Sequence, residues 1–130
     1  MKTILVFSVI ILLLDSLYLR QIAPPFGKMM KRIQGSPMET KLLPAAVVYL
    51  ALVGAWYVFI YTHLKDYSYR ENLVRAGLLG LFIYSVFDFT NLAVIDRYEL
   101  HLAVIDSIWG GILFASSTAL FLWVRRTMKL

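Results

Sequence analysis

Four long apolar runs divide this chain and leave little of it outside them. They cover residues 3–19, 42–64, 73–95 and 102–124. The last three hold 23 residues each. At about 1.5 Å per residue, each would reach roughly 34 Å as an α-helix, enough to cross a hydrocarbon core of about 30 Å. The pattern predicts four transmembrane helices.

The first run is the shortest, and it carries Asp15 near its end. It can therefore span only if its last residues reach the far interface. Lys2 precedes it, as a cation precedes the apolar core of a signal peptide. Because no small-residue cleavage site follows Asp15, we expect a retained first helix.

Composition favours a membrane setting over a soluble one. Of the 130 residues, 60% are hydrophobic and 16% are charged, and the mean hydropathy is +0.72. A soluble domain of this length has too little interior to bury so many large side chains, whereas lipid solvates them on the outside of a bundle. The absence of cysteine excludes disulfides and thiolate chemistry. The net charge of +5 is spread over loops and tails, which indicates topological anchoring in a lipid bilayer and not nucleic-acid binding.

The connections between the runs predict how the helices are arranged. Residues 65–72 and 96–101 are so short that they can join only antiparallel neighbours. We therefore predict an all-α integral membrane protein, a single domain over residues 1–130 built as an up-down-up-down four-helix bundle. Residues 20–41, rich in proline, glycine and cations, are predicted to form an interfacial loop. Within that loop, residues 26–33 fit either a surface amphipathic helix or an ordinary loop.

Lysine and arginine mark the orientation of the bundle only weakly. The two termini and the second loop, counted with nearby Arg75, together hold seven of these cations, and the first and third loops hold six. We favour both termini in the cytoplasm, because Arg125 and Arg126 directly follow the end of an apolar run.

Three carboxylates lie inside the apolar runs, namely Asp15, Asp88 and Asp106. An aspartate at the centre of a span costs about 2.5 to 3.5 kcal/mol, so such residues usually face the bundle interior. The topology places all three toward the same membrane face, about 8 to 12 Å below it. Three like charges in one apolar region must be protonated, bridged by a cation or hydrated. Each aspartate also has a structural interpretation, in which it caps a helix or fixes packing.

Residues three and four positions apart lie on one face of a helix, and their pattern predicts which faces turn inward. The third run carries a stripe of small and polar residues, and the fourth carries a ridge of small residues that lets backbones approach closely. The members of the stripe are Gly77, Gly80, Tyr84, Asp88 and Asn91. The ridge consists of Ser107, Gly111, Ala115 and Ala119, with Asp106 and Gly110 beside it. In the first run, Asp15 and Tyr18 share one side.

No recognised catalytic motif accompanies these residues. The chain has no glycine-rich phosphate loop, no serine nucleophile elbow and no zinc motif. We expect no cofactor. Aspartate and asparagine oxygens suit hard cations, but their spacing matches no known metal-binding loop, so a metal site stays open.

Three segments of the sequence resemble a known family. They are Leu14-Asp15 with Tyr18-Leu19, the stretch over residues 84–93, and Asp106 to Gly110. In these segments the chain resembles small bacterial and viral membrane proteins catalogued as domain of unknown function 2177. The resemblance implies four helices, in a bacterial cell membrane or in a virion or host membrane, and no established activity. The signature positions it implies are Asp15, Asp88, Thr90, Asn91, Asp106, Trp109 and Gly110. Phe87, where the family commonly has tyrosine, and residues 96–99 depart from its pattern.

These observations lead to two hypotheses of function. The first is a transporter-like or channel-like protein that binds a proton, cation or small polar solute at Asp15, Tyr18, Tyr84, Asp88, Thr90, Asn91, Asp106 and Trp109. Four short helices enclose little volume, so this hypothesis favours a homo-oligomer or larger membrane assembly, with the ridge over residues 107–119 as a candidate contact. The second is a scaffold or accessory subunit whose aspartates fix packing. An intramembrane enzyme is a less favoured third hypothesis.

Overall fold

A computed structural model describes residues 1–130 as a bundle of α-helices without strands. The helices are α1 (Lys2–Gln34), α2 (Leu42–Phe59), α3 (Tyr69–Val94) and α4 (Leu100–Met128). A short 3-10 helix, Tyr61–Asp66, follows α2. With that extension, all four helices are long and apolar enough to cross a membrane. The predicted all-α four-helix membrane fold is confirmed.

Helix α1 is longer than the sequence pattern indicated. Residues 20–34, which we assigned to an interfacial loop, are helical, and only residues 35–41 connect α1 to α2. The helix passes through Pro24 and Pro25, although a proline inside a helix costs about 3 kcal/mol. Contacts with α4 and the turn before it oppose this cost, because Met29 is fully buried there in a small apolar cluster. The helix ends at Gly35, whose φ of 78° suits glycine.

The length of α1 exceeds what one bilayer crossing needs. Its 33 residues reach about 50 Å, against a hydrocarbon core of about 30 Å. Cations cluster near its C-terminal end, including Lys31 and Arg32 in the last turn. The last turns of α1 therefore belong at or beyond the membrane surface.

Helices α3 and α4 form the most closely packed pair. A Cβ atom built on Gly80 would lie 2.1 Å from the carbonyl oxygen of Gly110, so the two backbones touch at this crossing. One turn away, a Cβ on Gly77 would lie 3.5 Å from both Ala115 Cβ and the Gly111 carbonyl oxygen. The two small-residue faces singled out in the sequence therefore meet each other. In the same ridge, Ser107 is buried and Ala119 is half-buried.

A core of aromatic side chains around Trp56 joins α2 to the rest of the bundle. The Trp56 ring stacks on Phe7 of α1 with centroids 3.6 Å apart, and Phe121 of α4 meets it edge-on at 5.0 Å. Its Nε1 donates to Thr118 Oγ1 at 3.0 Å. All four side chains are fully buried. This core lies toward the termini, away from the α3–α4 connection.

The turn between α2 and α3 is held by side-chain caps. Ser68 Oγ accepts from the backbone N–H of Glu71, and the Glu71 carboxylate accepts from the N–H of Ser68, which makes a capping box. Buried Asn72 donates from Nδ2 to the carbonyls of Leu64 and Tyr67 at 3.0 and 3.2 Å. These bonds fix a tight reversal of the chain.

Cysteine labelling checks the four-span topology. The native chain has no cysteine, so single cysteines can be introduced at Ser36 and Ser68, which are exposed in the first and second connections. We expect Ser36→Cys and Ser68→Cys to react with an impermeant reagent from opposite membrane faces. Reaction of both variants from the same face would contradict four crossings.

Candidate functional site

Three aspartates from three helices converge near the α3–α4 connection. Asp15 lies on α1, Asp88 on α3 and Asp106 on α4. Asp88 is fully buried, Asp15 is 5% exposed and Asp106 is half-buried. The carboxyl groups of Asp88 and Asp106 interact directly. The hydroxyl of Tyr18 lies within electrostatic range of all three. Asp88 and Asp106 thus adjoin each other, and Asp15 lies at the same end of the bundle, close to Tyr18.

Asp15 is held by donors from two other helices. Tyr49 of α2 donates a hydrogen bond from its hydroxyl to Oδ2. Trp109 of α4 donates Nε1 to Oδ1 at 2.9 Å. Both carboxylate oxygens of Asp15 are therefore satisfied, and this residue links α1, α2 and α4.

Asp106 is held by Tyr18 of α1, whose hydroxyl donates to Oδ1 at 2.9 Å. The Tyr18 ring stacks on Trp109 with centroids 4.5 Å apart and planes 7° from parallel. Trp109 bonds Asp15 while Tyr18 bonds Asp106, so this aromatic pair connects two of the three carboxyl groups. The stack also fixes the direction in which each donor points.

Only one of the two carboxylate oxygens of Asp88 accepts a hydrogen bond. Its Oδ1 accepts from the hydroxyl of Tyr98 at 3.1 Å, whereas its Oδ2 is buried without a hydrogen-bond partner. Tyr98 lies in the connection before α4 and is 7% exposed. Burial raises the pKa of Tyr98 to about 12, so this phenol stays protonated and remains a donor at physiological pH.

No basic side chain neutralises the cluster. The ion pairs of the chain join Arg32 to Glu99, His63 to Asp66 and His101 to Glu99, and none involves Asp15, Asp88 or Asp106. No group of three or more histidine or acidic side chains is placed to hold a metal ion. The three carboxyl groups are thus surrounded by neutral hydroxyl and indole donors.

The second half of α1 covers the Asp88 end of the cluster. Met29 packs with Tyr98, Leu102 and Ala103 in a small apolar core. The backbone N–H of Glu99 contacts Met29 Sδ at 3.2 Å, and the Glu99 carboxylate pairs with Arg32. Pro24 and Pro25 lie between this segment and Asp15, so the segment is joined to the rest of α1 through a turn that lacks two backbone N–H donors.

Other residues that the sequence placed in the site lie less centrally. Tyr84 is half-buried, packs against Gly110 and lies within electrostatic range of Asp15 and Asp106. Asn91 lies beside the Tyr98 hydroxyl. Thr90 is exposed on the outside of α3. It follows Asp88 by two residues, which is about 200° around a helix, so it cannot share the inward face.

Two residues of the site, Tyr49 and Tyr98, were not predicted from the sequence. Tyr49 precedes Trp56 by seven residues, so both lie on one face of α2. That spacing was the available signal, but an uncharged tyrosine in an apolar run gave no reason to pair it with Asp15. Tyr98 lies in a turn, and no periodicity indicated that its ring would fold back over Asp88.

The fold and this site together define a class of protein: a multi-pass helical integral membrane protein with an acidic cluster between its helices. The chain belongs to the family described as predicted membrane protein (DUF2177), whose model matches residues 1–123. The family expected from the sequence is therefore confirmed, and the match includes all three aspartates. No curated protein and no solved structure matches the chain.

Proposed function

We propose that the aspartate cluster is the proton-binding site of a small transporter-like or channel-like protein. The observation that carries this proposal is the placement of Asp15, Asp88 and Asp106 at one end of an apolar bundle without any basic side chain beside them. Three negative charges in such a place repel one another and lose hydration. Binding a proton relieves both costs. A proton fits better than a metal cation, because no three ligand side chains are grouped to hold one.

Asp88 and Asp106 are the pair best placed to share that proton. The two carboxyl groups interact, and Asp88 Oδ2 has no donor of its own. A buried acceptor without a partner costs about 1 to 3 kcal/mol. A proton held between the two carboxyl groups removes this cost, since one carboxyl group becomes a donor to the other.

Hydroxyl groups extend from this pair in two directions. Tyr98 contacts Asp88 on the side of the α3–α4 connection, and Tyr18 contacts Asp106 toward α1. A hydroxyl group can accept one proton while it donates another, so both tyrosines can pass a proton to or from the pair. This chain of donors and acceptors supports proton exchange with the membrane surface near Tyr98.

The alternative function, a scaffold or accessory subunit, is favoured by a different observation. Tyr49, Trp109 and Tyr18 each bond an aspartate that belongs to another helix. Such bonds between helices hold a bundle together in lipid, where each is worth about 0.6 to 2 kcal/mol. In a scaffold or accessory subunit, the carboxylates serve helix packing alone. The two functions predict different effects when one carboxyl group is replaced by an amide. A proton-binding protein loses proton uptake, whereas a scaffold loses stability.

The transporter-like function includes assembly into a homo-oligomer, because four short helices enclose little volume for a continuous path. The ridge over residues 107–119 remains the candidate contact for a second copy, because Gly111 and Ala115 line an open apolar groove with Ile108 and Ile112. Gly111 and Ala115 also contact Gly77 of the same chain, and all three residues stay half-buried.

The variant Asp88→Asn tests the proposed function. Asparagine keeps the acceptor for Tyr98 and the shape of the side chain but cannot exchange a proton. We expect this variant to fold and insert while it loses proton uptake in liposomes and the infrared carbonyl band of a protonated carboxyl group. The matched control is Asp96→Asn, because Asp96 is exposed in the adjacent turn and should leave both signals unchanged.

Two results would contradict the proposal. One is an Asp88→Asn protein with unchanged proton uptake and an unchanged infrared band. The other is a strongly lowered melting temperature in detergent for Asp88→Asn while the parent shows no proton uptake. That second result would favour the scaffold function.

A further inference from the structure

A second polar cavity lies at the opposite end of the bundle. It is formed between the C-terminal end of α4 and the connection from α2 to α3. Arg125, Arg126 and Lys129 line it on the α4 side, and Tyr67, Tyr69 and Asn72 line it on the α3 side. Leu64 and Leu122 are also in its wall. The cavity thus combines three cations with an apolar wall at the ends of three helices.

The cations of this cavity have no acidic partners. None of the ion pairs of the chain involves Arg125, Arg126 or Lys129. No aspartate or glutamate is among the residues that line the cavity, and the carboxylate of Leu130, which also lines it, pairs with none of the three cations. Three positive charges gathered in one concave place repel one another and attract an anion. The chemistry of the wall therefore selects a negatively charged ligand.

Buried atoms beside the cations are left without partners. Asn72 is only 4% exposed, and although its Nδ2 donates to two carbonyls, its Oδ1 is buried and accepts nothing. Arg75, one turn further along α3, has a buried Nη1 without a partner. Its guanidinium lies 4.1 Å from the centroid of the Tyr67 ring, which lines the cavity. Asn72 lines the cavity, and its Oδ1 is an acceptor that no group of the chain fills.

From this arrangement we propose that the cavity binds the phosphate group of an anionic phospholipid, with Asn72 Oδ1 accepting a hydrogen bond from a hydroxyl of the headgroup. Basic residues at the ends of membrane helices bind lipid phosphates through charge-assisted hydrogen bonds. The apolar residues Leu64 and Leu122 suit a ligand that continues into an acyl chain, which free phosphate lacks. This site is at the other end of the bundle from the aspartate cluster, and it does not depend on the proton-binding function.

Lipid binding to the purified full-length chain tests this proposal. We expect phosphatidylglycerol added to the detergent-solubilised protein to remain bound in native mass spectrometry and to raise the melting temperature. Phosphatidylcholine, which has the same phosphodiester but neither net charge nor a hydroxyl donor, should do neither. We expect Arg126→Gln to weaken the apparent affinity for phosphatidylglycerol about tenfold, since it removes one charged contact.

Arg70→Gln is the matched control, because Arg70 is exposed on the same end of the bundle but does not line the cavity. It should bind phosphatidylglycerol as the parent does. An equal loss in Arg70→Gln and Arg126→Gln would overturn the proposal and indicate diffuse attraction to anionic lipid. Stabilisation by inorganic phosphate as strong as that by phosphatidylglycerol would overturn the lipid assignment. Lys129→Gln removes a second cation that lines the cavity, at an exposed residue beyond α4, and should also weaken binding of phosphatidylglycerol.

Discussion

Replacing Gly80 by alanine is expected to force α3 away from α4 and to lower the free energy of unfolding by about 3 kcal/mol, the upper end of the usual range for overpacking. The added Cβ would lie 2.1 Å from the Gly110 carbonyl oxygen and 2.8 Å from Phe114 Cβ. Neither obstacle is the end of a flexible side chain, so the helices themselves must shift. Denaturation of the purified protein in mixed detergent micelles, followed by circular dichroism, measures the change.

Gly54→Ala is the control for this variant. Gly54 lies in α2 with no atom within 4 Å of an added Cβ, and alanine favours a helix over glycine by about 1 kcal/mol. We therefore expect Gly54→Ala to be neutral or slightly stabilising. Similar stabilities for Gly80→Ala and Gly54→Ala would show that the backbones of α3 and α4 do not touch at this crossing.

Truncation of Trp56 to alanine is expected to have the other large effect, a loss of about 3 to 5 kcal/mol in the free energy of unfolding. The side chain is fully buried, stacks on Phe7 and bonds Thr118. Its removal leaves a cavity where α1, α2 and α4 meet, and the Thr118 hydroxyl loses a donor. The same denaturation experiment in micelles measures this loss.

Two further variants separate the parts of this effect. Trp56→Phe should keep much of the stacking and lose the hydrogen bond, so its destabilisation should be smaller than that of Trp56→Ala. Trp123→Ala is the control for an aromatic residue facing outward, because Trp123 is 60% exposed. A loss in Trp123→Ala as large as that in Trp56→Ala would contradict the assignment of Trp56 to the core.

Much of the fold was predictable from the sequence because it depends on local properties. The length of each apolar run predicts a membrane-spanning helix, and the short connections predict antiparallel neighbours. The spacing of Gly77 and Gly80 placed both on one face of α3, and the spacing of Gly111 and Ala115 did the same for α4. The common depth of the three aspartates also followed from counting residues along each helix.

The tertiary structure alone decided which groups meet. Helix α1 continues through Pro24 and Pro25, against local preference, because its later turns pack on the α3–α4 connection. Tyr49 and Tyr98 became partners of aspartates through the rotation and approach of separate helices. The sequence by itself determined that polar groups must be buried at one depth of this bundle. Only packing decided their partners, because contacts between distant segments depend on how whole helices fit together.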